Sequence, residues 1–72
     1  MLITEQWKSR EYKVTIEVRT TNESRAFYIV TYQLNSSLTD YVLLEKIEFD
    51  TEDKALKRFD EVVGVLRFLI RE

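Results

Sequence analysis

Cysteine, histidine and proline are absent from this 72-residue sequence, and glycine occurs once, at Gly64. Without cysteine no disulfide can staple the fold and no thiolate can bind a soft metal. Without histidine the usual general base near neutral pH is missing, so Ser–His–Asp and Cys–His catalysis are impossible within the chain. Zinc, haem and iron–sulfur sites lack their normal ligands. A single glycine makes no glycine-rich loop to cradle phosphates. No apolar run approaches the roughly 18–20 residues of a membrane span. The start, Met1 to Glu5, has no basic region ahead of an apolar run, so no secretory peptide is expected. The chain reads as cytoplasmic, not an enzyme, and without metal or cofactor.

What is present fits a folded chain. The apolar share is 44% and the charged share 33%, with a net charge of −2. A chain this short hides only about 60–65% of the surface its unfolded form exposes, so its core is marginal. Tight packing or self-association must then supply what disulfides and metals do not. We read residues 1–72 as a single small domain.

The expected fold is α+β: a three-stranded antiparallel meander and one C-terminal amphipathic helix on one sheet face. Tyr12, Val14, Ile16 and Val18 alternate with Lys13, Thr15, Glu17 and Arg19, which marks residues 11–20 as a half-buried strand. Residues 26–34 form a second strand, apolar on both faces at its start. Tyr28, Val30, Tyr32 and Leu34 are expected toward the core, with Phe27 and Ile29 on the opposite face. Residues 41–49 form the third strand. Its alternation slips near Glu45, and a β-bulge at Leu44–Glu45 reconciles its halves. Residues 1–10 have no settling period and read as an arm or an extra strand.

Residues 51–71 form the helix. Asp50 or Thr51 can cap it, Glu52 and Asp53 suit its start, and Arg67 and Arg71 suit its end. Leu56, Phe59, Val63, Leu66 and Ile70 make its core stripe, widened by Ala55, Val62 and Leu69. Asp53 and Lys57, four apart, are ordered to pair. The carboxylates Glu45, Glu48, Asp50, Glu52 and Asp53 crowd the same junction. Capping and the helix dipole explain them more economically than a Mg²⁺ or Ca²⁺ site.

One helix covers one face of a sheet, so the opposite face should be polar. Phe27 and Ile29 break that expectation. On the helix, Phe68 and Val65 fall outside the core stripe, beside Gly64, whose place inside a helix costs about 1 kcal/mol relative to alanine. Surplus apolar surface marks an interaction site. A homodimer is therefore expected, through Gly64, Val65 and Phe68 or through Phe27 and Ile29, with Trp7 as a further apolar contact.

The functional reading is a small non-catalytic protein-binding module. The junction Phe49-Asp50-Thr51-Glu52-Asp53-Lys54-Ala55-Leu56 resembles junctions in small accessory proteins of phages and mobile elements, some anti-CRISPR inhibitors among them. It fits any capped helix after a strand, and assigns no family. The resemblance implies an inhibitor or accessory role. The alternative is single-stranded nucleic-acid binding on the open sheet face, by Lys13, Arg19, Arg25 and Lys46 around Phe27. A curved antiparallel sheet with a helix, in a dimer, is also similar in architecture to the transcriptional-coactivator single-strand binders, although none of their motifs occurs. The mixed charge, with Glu17 and Glu48 among these basic groups, disfavours a nucleic-acid partner.

Overall fold

The computed structural model describes residues 2–35 and 40–70, with the backbone alone for Ile70. The described elements are four strands and one helix: β1 (Leu2–Lys8), β2 (Tyr12–Thr20), β3 (Arg25–Leu34), β4 (Tyr41–Phe49) and α1 (Glu52–Ile70). The sheet is an antiparallel meander in the order β1-β2-β3-β4, and α1 packs on β2, β3 and β4. The fold is thus α+β with one C-terminal helix. The strand count corrects the expected three to four, because residues 2–8 pair along β2 instead of forming an arm. Thr4 is the extra residue where that pairing shifts, and such a shift erases the alternation by which a strand is recognised. Arg71, expected to suit the helix end, and residues 36–39 lie outside the described residues.

The hairpin between β2 and β3 decides which side chains become core. Thr21 N–H donates to the Ser24 carbonyl at 2.9 Å and closes a two-residue turn of Asn22 and Glu23. Turn length fixes register, and a slip of one residue would exchange the two faces of a strand. This register sets Val14 opposite Thr31, Ile16 opposite Ile29 and Val18 opposite Phe27. Directly opposed residues share a face. Phe27 and Ile29 therefore join Val14, Ile16 and Val18 beneath the helix, and Tyr28, Val30 and Tyr32 take the other side. This reverses the expected faces of β3. Phe27 and Ile29 are core residues, and neither belongs to an exposed surface.

On β4, Phe49 faces Phe27 and Ile47 faces Ile29. The pairing then passes from Thr31–Glu45 to Tyr32–Leu43, leaving Leu44 as the inserted residue of a bulge. The helix contributes Ala55, Phe59 and Val63 to the core, with Leu56, Val62 and Leu66 packed at its margin. Each large apolar side chain so buried stabilises the fold by about 1.5–3 kcal/mol. Leu69, expected in that stripe, is 69% exposed instead. With Leu44 of the β4 bulge it borders an open groove.

At the helix start the Thr51 hydroxyl accepts the Lys54 N–H at 3.4 Å, so Thr51 is the cap. Asp50 pairs with the Lys54 ammonium at 3.1 Å, which draws its carboxyl below the usual range. Arg58 pairs with Glu61 at 3.4 Å. These are the ion pairs of the described helix, and the expected Asp53–Lys57 pair is not formed.

Candidate interaction surface

The two sides of the sheet solve different problems. On the side away from α1 lie Lys13, Thr15, Glu17 and Arg19 of β2, Tyr28, Val30 and Tyr32 of β3, and Tyr41, Lys46 and Glu48 of β4. No helix covers them, yet Thr15 and Val30 are each 1% exposed. Their cover is a layer of tyrosine rings and lysine stems. The Lys13 ammonium lies 4.6 Å from the Tyr32 ring centre and 4.7 Å from that of Tyr41. Lys46 lies 4.6 Å from the Tyr28 ring centre, and Lys8 5.6 Å from that of Tyr41. Such contacts are worth about 0.5–1 kcal/mol at exposed sites, and the lysine stems shield the apolar floor.

The Tyr32 hydroxyl donates to a Glu17 carboxylate oxygen at 2.9 Å, and the Thr15 hydroxyl donates to the same oxygen at 3.1 Å. Partial burial, then the bond to Glu17, then the nearby negative charge push the Tyr32 phenol above its ordinary pKa.

This side keeps Lys13, Arg19 and Lys46 of the proposed nucleic-acid set together. It does not keep the other two. Phe27 is under the helix, and Arg25, opposite Thr20, lies one position out of phase with Arg19 and Ala26. The aromatics of this face are tyrosines, of which Tyr28 and Tyr32 are expected toward the core from the sequence because their rings are apolar.

The side toward α1 is covered only in part. Between the C-terminal half of the helix and the bulge of β4 runs an open groove of about 860 Å³. Leu44 and Thr31 form its sheet wall, and Val62, Val65, Leu66 and Leu69 line its helix wall. Leu44 is 51% exposed, Val65 59% and Phe68 76%. Two features of the sequence keep the groove open. The bulge places Leu44 toward the helix, and Glu45 occupies the next helix-facing position after Phe49 and Ile47. A carboxylate there stays hydrated, where an apolar residue would draw the helix down. Arg58, Asp60 and Glu61 complete a polar rim.

Gly64 lies on this lining, one turn before Phe68. A Cβ added at Gly64 would meet nothing within 4 Å. The protomer's own packing therefore does not require glycine there. Of the residues expected at an interface, Gly64, Val65 and Phe68 are brought together and exposed. Trp7 is not among them. It stands opposite Val14 and packs half-buried against the core, so it neither projects as a contact nor covers Phe68. The sequence reading missed Leu44 and Leu69. The slip in β4 alternation was the available signal for Leu44.

Among the described residues no group of three or more Asp or Glu side chains is placed to hold a metal ion. No described helix is long and apolar enough to cross a membrane. Comparison with protein-family models, curated proteins and solved structures finds no match for this chain.

Proposed function

We propose that the chain is a non-catalytic protein-binding module, and that it works through the apolar groove between α1 and β4. The observation that supports this most is the exposure of Leu44, Val65, Phe68 and Leu69 around one groove with a charged rim. A contiguous apolar centre with a polar margin is the anatomy of a protein interface. An accessory or inhibitory role, as for small proteins of phages and mobile elements, fits a domain that presents such a surface.

A photo-crosslinking residue at Val65 tests the reading, with the same residue at Arg19 on the opposite sheet face as control. Capture of a polypeptide from position 65 and not from position 19 is expected. Capture from position 19 alone, or from neither, contradicts it.

The second reading is single-stranded nucleic-acid binding on the tyrosine–lysine face. The support for it is the cluster of Lys8, Lys13 and Lys46 over Tyr28, Tyr32 and Tyr41. Rings capped by the chain's own ammonium groups must be uncovered before a base can stack, which weighs against it. A salt-sensitive shift of a labelled oligonucleotide, lost in Tyr32→Ala, would favour this reading over the first.

A further inference from the structure

We infer that the occupant of the α1 surface is a second copy of this chain, docked so that the two helices cross antiparallel at Gly64 and each Phe68 lies over the other's Gly64. The inference rests on the binding-module reading and names its partner.

Three observations carry it. The first is the unexplained glycine. Glycine in a helix interior weakens the helix relative to alanine. Nothing in the protomer occupies the space a Cβ would take. A close-approaching second backbone is what makes glycine useful at such a place.

The second is reciprocity. The notch at Gly64 and the knob at Phe68 are four residues apart, one turn along the same exposed face. A two-fold axis level with Leu66 carries each knob onto the opposite notch. A surface that serves as its own complement is the requirement for an isologous interface. Val65 and Leu69 flank both contacts, and antiparallel helix dipoles oppose favourably.

The third is area and shape. The chain exposes 5368 Å², against about 4700 Å² for a compact protein of this mass. Its radius of gyration is 12.8 Å, where about 11 Å is usual for this length. The excess of several hundred Å² is surface that self-association can cover, and the exposed Val65, Phe68 and Leu69 place part of it on this helix face. The free edge of β4 is a weaker candidate for the contact. The bulge at Leu44 and the charged Lys46 and Glu48 blunt it against strand addition.

Sedimentation equilibrium over a range of protein concentrations tests the proposal, with the wild type, Phe68→Glu and Gly64→Ala. The wild type should be a reversible dimer. Phe68→Glu should weaken it about thirtyfold or more, as for an interface hot spot. Gly64→Ala should weaken the dimer and yet raise the melting temperature of dilute monomer, because alanine favours the helix. That opposed pair of effects shows the variant is folded, so weakened association is not loss of structure. A monomer at every concentration, or a dimer that neither substitution weakens, overturns the proposal. If the wild type is monomeric while position 65 still captures a different polypeptide, the second copy falls and the binding module stands. If position 65 captures nothing, both fall.

Discussion

The Tyr32 hydroxyl reaches the Glu17 carboxylate at 2.9 Å across two cross-strand registers, since Tyr32 stands opposite Lys13 and Glu17 opposite Tyr28. The ring thus spans the Thr15–Val30 pair that lies between them. This explains how two residues with no helix above them become fully buried. Tyr32→Phe keeps the ring and removes the bond. It should lower stability by about 1 kcal/mol, read by urea denaturation near neutral pH.

Partial burial of the phenol, together with the same bond, gives a pH dependence of definite sign. The folded state raises the Tyr32 pKa above the ordinary phenol value, so it favours the protonated phenol. This contribution is fully present below the unfolded pKa, near 10, and is lost as pH rises through the folded value. Wild-type stability should therefore fall above about pH 10. The difference between wild type and Tyr32→Phe should shrink over that window. A gap that stays constant into strong alkali would show that the bond does not couple to the fold.

Ile29 is 1% exposed and meets Ile16 across the sheet. Ile29→Ala should cost about 2–5 kcal/mol. In a domain this small that leaves a large unfolded fraction, visible by circular dichroism. Val65→Ala on the exposed helix face should change dilute-monomer stability by less than about 0.5 kcal/mol. Comparable losses at both positions would contradict the faces described here.

The helix cap gives a smaller effect. Thr51→Ala removes the hydroxyl that accepts the Lys54 N–H and should cost about 0.5–1 kcal/mol, the low end for a long 3.4 Å bond. Thermal unfolding reads it directly.

Much of this fold is legible in the residue pattern. The alternation of Val14, Ile16 and Val18, the helical spacing of Ala55, Phe59 and Val63, and the β4 slip at Leu44 each report a local geometry. What the pattern does not carry is register. Phe27 and Ile29 compete with Tyr28, Val30 and Tyr32 for the core face, and hydropathy alone scores both sets as apolar. The two-residue turn at Asn22 and Glu23 decides between them, through a relation between strands and not within one. For β1 the pattern leaves an arm and an extra strand both open for a similar reason: its extra residue at Thr4 breaks the period of two. At the surface, Gly64, Val65 and Phe68 were legible as misfits of the helix stripe. Leu69 was not, and for Leu44 the slip marks the bulge but not the exposure, because exposure depends on where the helix crosses the sheet.

Solvent accessibility of Phe68, Val65 and Leu69 in solution bears most directly on the central claim. A soluble paramagnetic agent broadens the NMR signals of side chains that face water. In dilute protein all three should broaden strongly. At concentrations where the protein associates, they should be shielded together, while Tyr28 and Arg19 on the opposite sheet face stay as accessible as before. Shielding of the tyrosine face with Phe68 still open to the agent would contradict the account.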